Sequence, residues 1–279
     1  MNFEKVKKWY DRREVKFELK DQLFNRELAA LVAKPEKRTM KSTRNLRCHN
    51  TQHFDIIRSA LNMDQQEVLY QFYFSLARFK TGIPYQTLNF IDRKKEMVVW
   101  NSEAEYQIID YLWIIDIDAK SHDDMMSVHE QALKIIEIIK KPETLSKIPL
   151  KVSCVFTGMG FHIYIHADEK GELGYVYTKN DHPSMEELYT PGFGEPDIYS
   201  LIKESTKHYF GDVAPDIDYS IYDCRRLAKL CYSLAIYGDK EIYVCYPFSS
   251  IEELKSFKLE DYSLDKFDKQ IGYRGVPKF

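Results

Sequence analysis

The sequence predicts an α+β fold: a ferredoxin-like (RRM-like) antiparallel sheet packed with a mixed α/β module on its N-terminal side. Three observations carry this. From Tyr111 onward the apolar patterns run strand, helix, strand, strand, with the last two joined by a tight glycine turn, as at the start of a βαββαβ unit. Ahead of it, apolar residues recur at helical spacing and are followed by a hairpin pattern. Finally, 11 Gly and 10 Pro in 279 residues leave little room for long linkers, so the chain reads as one domain over 1–279. Its parts are an N-terminal module of about 1–105, an RRM-like module of about 106–250 and a tail over 251–279.

Taken in order, residues 3 to 80 read as mainly helical. Leu23, Phe24, Leu28, Leu31 and Val32 form one apolar set, and Val68, Leu69, Phe72, Leu76 and Phe79 another. Between them lie Lys34, Lys37, Arg38, Lys41, Arg44 and Arg47, opposed only by Glu36. Such a run is either a solvated loop or an arm that contacts the phosphates of a template strand. Cys48, His49 and His53 follow, but a fourth zinc ligand at a recognisable spacing is missing, so they read as ordinary loop or core residues. Residues 88 to 100 form a hairpin around the polar turn Asp92-Arg93-Lys94-Lys95.

The apolar run Leu112, Trp113, Ile114, Ile115 ends in Asp116-Ile117-Asp118. A helix starts at Ser121 with Asp124 as a capping-box-like pair; Met125, Val128, Ala132, Ile135, Ile136 and Ile139 form its stripe, and Pro142 ends it. His122, Asp123 and Asp124 are explained by that cap and by the helix dipole. Strands at 152–156 and 161–165 flank Thr157-Gly158-Met159-Gly160 and place His162 just inside the second. A polar, Tyr-rich stretch follows, with a helix at 197–209. Asp216-Ile217-Asp218 then leads into a basic element, Cys224-Arg225-Arg226-Leu227-Ala228-Lys229. A last strand at 241–246 and a modestly helical tail from Glu252 to Phe279, with a charged, peripheral end, complete the chain.

A net charge of −3 excludes a surface that is basic throughout, so nucleic-acid binding has to be local. Five cysteines without a paired CxxC rhythm read as reduced thiols. The N-terminus shows no apolar signal core and no run is long enough to cross a bilayer, so the expected location is cytoplasmic, with no membrane partner.

The chemistry concentrates at Asp116-Ile117-Asp118. Strand alternation puts both carboxylates on one face and Ile117 on the other. Two like charges so placed, partly buried, call for a cation between them, and a divalent metal meets that need; a strand end frayed into solvent has the same pattern.

Asp116 and Asp118, then Thr157, Gly158, Gly160 and His162, then Asp218 with Asp223, Arg226, Leu227, Lys229, Ser233 and Leu234, stand in a fixed order. Together they resemble the archaeo-eukaryotic primase superfamily, the catalytic subunits of primases and the related primase-polymerases. That family carries a DxD or DxE pair, a hairpin of SGxxGxH type or a shorter variant, and a third Asp followed by D-x-x-R-L-x-R-x-P-x-S-L-H. Asn25-Arg26-Glu27-Leu28-Ala29 is a weaker upstream match. Thr157 stands in place of Ser, Cys231 of Pro and Ala235 of His, and the zinc-binding insertion of many primase small subunits is missing.

The resemblance implies a primase-polymerase-type fold and a template-dependent nucleotidyltransferase that makes RNA or DNA primers or extends them. Asp116, Asp118 and Asp218 would be catalytic ligands of two magnesium or manganese ions, with zinc not expected. Thr157, Gly158, Gly160, His162, Arg226, Lys229 and Ser233 would bind the nucleotide. Lys37, Arg38, Lys41, Arg44 and Arg47 would meet nucleic acid. Expected partners are a single-stranded DNA template, nucleoside triphosphates, and a larger primase subunit or helicase. The alternatives are a repair polymerase of the same fold, like the domain attached to bacterial end-joining ligases, and a non-catalytic RRM-like nucleic-acid-binding module. A sugar-nucleotide transferase with a DxD motif predicts a parallel Rossmann-like sheet, which this element order does not suggest.

Overall fold

Two short amphipathic helices open the chain, α1 (Phe3–Asp11) and α2 (Arg13–Asp21). Val6, Trp9 and Tyr10 of α1 and Val15 and Leu19 of α2 are buried, at the three- and four-residue spacing of one helix face. In the computed structural model of the chain, residues 3–23, 26–33, 38–47, 68–79, 89–92, 97–100, 108–141, 150–166, 177–178, 198–223, 226–237 and 241–272 are described.

Beyond α2 the helical expectation fails. Glu27–Ala33 is strand β1, Arg38–Arg47 is β2, Val68–Ser75 is β3 and Ala77–Phe79 is β4. β1 lies between β2 and β3, so Leu28 faces Thr43 on one side and Phe74 on the other. A strand hydrogen-bonded on both sides and covered on both faces reads as a nearly continuous apolar run, in which a helical period cannot be told from a strand. In β3 the deciding signal is composition: Val68, Tyr70, Phe72, Tyr73 and Phe74 are residues that favour a pleated surface. The basic segment is likewise strand and not loop: Arg38, Lys41, Arg44 and Arg47 lie on β2, at one end of the strand order of its sheet. Lys34, Glu36, Lys37, Cys48, His49 and His53 lie outside the described residues.

The expected hairpin is present as β5 (Asn89–Asp92) and β6 (Met97–Trp100), with Asn89 opposite Trp100 and Asp92 opposite Met97. The apolar run that ends in the two acids lies on strand β8 (Trp113–Asp118), and Leu112 is the bend that separates it from β7 (Ile108–Tyr111). The buried Leu112 donates its N–H to Leu76 O (3.1 Å), and that bend sends β7 to β4 while β8 enters another sheet.

That second sheet positions the site. Helix α3 (Met125–Lys140) follows β8 through a single 3-10 turn at His122–Asp124, and its predicted stripe from Met125 to Ile139 is buried. The cap differs from the expectation: Ser121 Oγ donates to Asp124 Oδ2 (2.8 Å) in place of accepting a backbone N–H. Next come β9 (Lys151–Phe156), β10 (Gly160–His166), the short β11 (Tyr177–Thr178), which pairs with β7, and α4 (Ile198–Phe210). Strand β12 (Leu227–Lys229) returns to pair with β3, giving the first sheet the order β12-β3-β1-β2. Strands β13 (Leu234–Tyr237) and β14 (Glu241–Val244) form a hairpin, and β15 (Tyr246–Pro247) joins β9, so the second sheet runs β15-β9-β10-β8. Ile217 forms an isolated antiparallel bridge with Ile117 of β8. The result is an α+β fold of antiparallel sheets, as the sequence predicts.

The first part of the tail joins the core. Leu254 of α5 (Ile251–Lys255), Phe257 and Tyr262 are buried, and the Phe257 and Tyr262 rings stack on each other with centroids 5.2 Å apart. Both also lie 5.2 Å from Phe156 of β9. Aromatic residues in a charged segment outweigh its average polarity. Among the described residues, no helix is long and apolar enough to cross a membrane.

His129 of α3 is 4% exposed, lies between the Phe161 and Phe257 rings, and has Nε2 2.8 Å from Leu254 O. Burial pushes its pKa below the usual value, so the neutral ring donates Nε2–H to the carbonyl. A folded-state pKa below the unfolded one means that the unfolded chain binds more protons as pH falls. His129 therefore contributes stability above ~6.5 that is lost as pH drops through the folded-state pKa. Urea denaturation at pH 7.5 and pH 5 should show a smaller acid loss in His129→Gln than in the wild type; equal losses would remove His129 from this role.

Candidate functional site

The β8–β10 register brings the predicted residues together. Asp116 is directly opposite His162, Ile117 opposite Phe161, and Asp118 opposite Gly160. Opposed residues of an antiparallel pair share a face, so Asp116, Asp118 and His162 line one side of the sheet. Ile117 and Phe161 are buried on the other, where Phe161 meets His129 of α3. The alternation read from the sequence is the alternation of the strand.

The glycine turn fits closely around this pair. Thr157 N–H bonds Gly160 O (3.0 Å), and Ala119 N–H bonds Met159 O (2.7 Å). Gly158 has φ +100°, which favours glycine, and a Cβ there would stand 2.3 Å from Ala235 Cβ. At Gly160 a Cβ would stand 2.0 Å from Ile117 O and 2.9 Å from Asp118 Oδ1. The turn can lie this close to β8 only without a side chain at Gly160, and this close to Ala235 only without one at Gly158.

Asp218 arrives from the opposite edge. The Ile117–Ile217 bridge aligns its segment with β8, and Asp218 N–H donates to Asp116 O (2.9 Å). The Asp218 carboxylate accepts Ser220 N–H (2.8 Å) and lies 3.6 Å from Arg226 Nη2, which also donates to Ser220 Oγ (2.6 Å). Asp216, its rival in the sequence pattern, is held by Gln131 of α3. Lys229 donates Nζ–H to Thr157 O (3.0 Å), so β12 ties the first sheet to the glycine turn of the second.

Electrostatics separate the two acids of β8. Burial pushes the Asp116 carboxyl up, but His162 and, more weakly, Lys229 and Arg226 outweigh it and hold the group below the usual carboxylate range. Asp118 is shifted up, first by partial burial and then by the Asp116 charge. Asp116 Oδ1 lies 3.3 Å from His162 Nε2 without hydrogen-bond alignment, and Thr157 Oγ1 is buried without a hydrogen-bond partner. Oxygens left in this state are suited to a ligand that brings positive charge or donors. The fit to a cation rests on Asp116 and Asp118; among the described residues no group of three or more His, Cys, Asp or Glu side chains is arranged to hold a metal ion.

Two predicted residues have other engagements. Ser233 is fully buried, and its hydroxyl accepts Phe72 N–H (2.7 Å) of the first sheet. Arg26, from the weaker upstream match, is buried and donates Nη1–H to Ser75 O (2.9 Å) and Leu76 O (2.8 Å), bracing the β3–β4 bend. Arg38, Lys41, Arg44 and Arg47 stand on β2, while Lys37 lies outside the described residues.

Sequence reasoning missed Tyr164 and Gln131. Tyr164 is buried, its hydroxyl 3.3 Å from His162 Nδ1, and burial raises its pKa so that it stays protonated. With Nδ1 engaged by this hydroxyl, Nε2 is the ring nitrogen that faces Asp116. The available signal is its place two residues after His162 on the same strand face. Gln131 carries a signal too, as an amide flanked by Val128, Ala132 and Ile135 on the buried stripe of α3.

No protein-family model matches this chain, and no curated protein matches it. Among solved structures it is similar to the polymerase domain from Mycobacterium tuberculosis Ligase D in complex with DNA. That similarity has 13% sequence identity and a TM-score of 0.46, and covers 96% of this chain and 84% of that one.

Gly160→Ala should cost ~2 kcal/mol or more in urea denaturation, because the added methyl meets backbone at Ile117 O and cannot be relieved by a rotamer change. A cost below ~0.5 kcal/mol would contradict the close approach of β8 and β10.

Proposed function

We propose that the chain is a template-dependent nucleotidyltransferase of the primase-polymerase type, one catalytic domain that makes RNA or DNA primers, or extends them, on single-stranded DNA. The observation that carries the reading is the convergence of Asp116 and Asp118 on one face of β8 with Asp218 hydrogen-bonded to the Asp116 carbonyl, beside His162 and a glycine turn gripped by Lys229. In this reading β8, α3, β9, β10, α4 and the 216–218 segment follow ferredoxin-like order. The segment, reduced to the Ile117–Ile217 bridge, takes the fourth strand's place, and β15 is added beyond β9.

The reaction joins a primer 3′-hydroxyl to the α-phosphorus of a nucleoside triphosphate, forming a P–O bond and releasing pyrophosphate, so charge and alignment matter more than covalent help. Two magnesium or manganese ions held by Asp116, Asp118 and Asp218 would supply charge neutralisation of the phosphates. The side-chain-free turn at Gly158 and Gly160 lets backbone N–H groups approach a phosphate. Thr157 Oγ1 is the donor in reserve beside it. His162, oriented by Tyr164, donates from Nε2 to a phosphate oxygen. Arg226 supplies a planar fork for phosphate, and Lys229 fixes the turn while lending its charge. Ser233 acts from a distance by joining the 230–234 turn to β3.

Incorporation of labelled nucleotide on an unprimed single strand, against a gapped duplex, tests the reading and separates a primase from a repair polymerase. Asp116→Asn should lower metal-dependent incorporation by ~100-fold or more with its thermal transition retained, because an amide cannot replace the carboxylate charge. Full activity in that variant would overturn the mechanism. The basic segment makes a separate prediction: replacing Lys37, Arg38 and Lys41 by Gln should weaken single-strand binding and flatten its salt dependence by about 0.7 in log–log slope per lost phosphate contact. An unchanged slope would return the segment to a solvated edge.

A further inference from the structure

Gln131 and Asp216 meet through two hydrogen bonds. Gln131 Nε2 donates to Asp216 Oδ2 (2.7 Å), and its Oε1 accepts the Asp216 backbone N–H (3.2 Å). The amide is 5% exposed on a helix face otherwise made of Val128, Ala132, Ile135 and their neighbours. A buried amide that grips both the side chain and the backbone of one residue fixes that residue's position and orientation. The grip is applied one residue before the Ile117–Ile217 bridge and two before Asp218, whose N–H bonds Asp116 O. Beyond Asp218 the chain turns at once into the 3-10 segment Tyr219–Ile221. Asp218 is thus held from its N-terminal side by α3 and laterally by β8. Asp216 is spent on Gln131, with Lys120 Nζ 3.8 Å from its other oxygen.

We propose that Gln131 and Asp216 are positioning residues that hold the 216–218 segment against β8, and that Asp216 is not a ligand for metal or phosphate. The catalytic consequence rests on the nucleotidyl-transfer reading; the clamp itself does not.

The test is a charge swap. Gln131→Glu sets a carboxylate against Asp216 and breaks the clamp. Adding Asp216→Asn restores it with donor and acceptor exchanged, because the amide introduced at position 216 can donate to the carboxylate introduced at position 131, which still accepts the backbone N–H. Two measurements follow the wild type, the single variant and the double variant: hydrogen exchange of the Asp218 amide, and Mn2+ affinity by electron paramagnetic resonance of the free ion. Gln131→Glu should speed Asp218 exchange by ~10-fold and weaken Mn2+ binding by a similar factor, and the double variant should recover most of both. Gln131→Met, which removes both hydrogen bonds at similar length, should speed exchange in the same direction and serves if the charged variant does not fold. Unchanged exchange in Gln131→Glu and Gln131→Met overturns the clamp. Exchange restored in the double variant while Mn2+ affinity stays lost makes Asp216 a ligand and overturns the assignment. Exchange that follows the swap in a chain whose wild type binds no Mn2+ overturns the nucleotidyl-transfer reading and leaves the clamp standing.

Discussion

Two carboxylates two residues apart on one strand face, one of them largely enclosed, repel each other at close range and lose hydration, and a fold keeps them only if positive charge is brought to them. The structure meets this constraint with residues from widely separated parts of the chain. His162 comes from the facing strand at 3.3 Å, and Lys229 and Arg226 come from the stretch that returns to the first sheet. The outcome is asymmetric. Asp116 is held ionised, whereas Asp118, nearer solvent, is pushed the other way by partial burial and by its neighbour's charge. Such a pair is tuned by its surroundings, and in the proposed reading it would take up a cation and a phosphate chain.

The same constraint explains why the two sheets are tied together where they are. β12 pairs with β3, Leu230 N–H bonds Phe72 O, and Ser233 Oγ accepts Phe72 N–H, so the 227–233 stretch belongs structurally to the first sheet. From that sheet, Lys229 reaches the glycine turn of the second. The turn at Tyr232 is held in the left-handed region, φ 64°, by three anchors: its N–H to Cys245 O, its carbonyl to Trp9 Nε1, and its hydroxyl to Gly272 N–H. A non-glycine residue in that conformation persists only where its surroundings fix it. Here the surroundings include α1 and the tail, so the ends of the described chain help set where Lys229 points. On the other flank, Trp113 Nε1 donates to Thr206 Oγ1 (3.0 Å), and the Tyr222 hydroxyl lies 3.0 Å from both Thr206 Oγ1 and Ile114 O. That network locks α4 and the 216–222 segment to β8 just ahead of the acids.

What is legible in the sequence follows from how locally each feature is encoded. The alternation at Asp116-Ile117-Asp118, the stripe of α3 and the glycine turn each depend on a few adjacent residues, and each has the form the pattern predicts. Their meeting is legible only as an ordered set of motifs, because it depends on register: β10 shifted by one residue would place Phe161 and not His162 opposite Asp116. The N-terminal strands read as helix because β1 is covered on both faces and loses its period-two signature, and Arg38, Lys41, Arg44 and Arg47 read as a loop or arm although they lie on strand β2. The break at Leu112 and the burial of Phe257 and Tyr262 depend on contacts far away in sequence, which no local pattern contains. Gln131 and Tyr164 fall between these cases: Gln131 is a polar group on a helix face that is otherwise apolar, and Tyr164 follows His162 by two residues on one strand face, signals visible in the sequence once the face is known.

The central claim is that Asp116, Asp118 and Asp218 share one site for a divalent cation and a nucleoside triphosphate. Its most direct test is paramagnetic broadening by Mn2+ in the amide NMR spectrum of the wild-type chain, with and without a non-hydrolysable nucleoside triphosphate. The account predicts that substoichiometric Mn2+ broadens the amides around residues 116–118, 157–162 and 217–219 first, and that the nucleotide strengthens the effect there. Broadening centred elsewhere, or amides at 116–118 that stay sharp while Mn2+ and nucleotide are both bound, would contradict it.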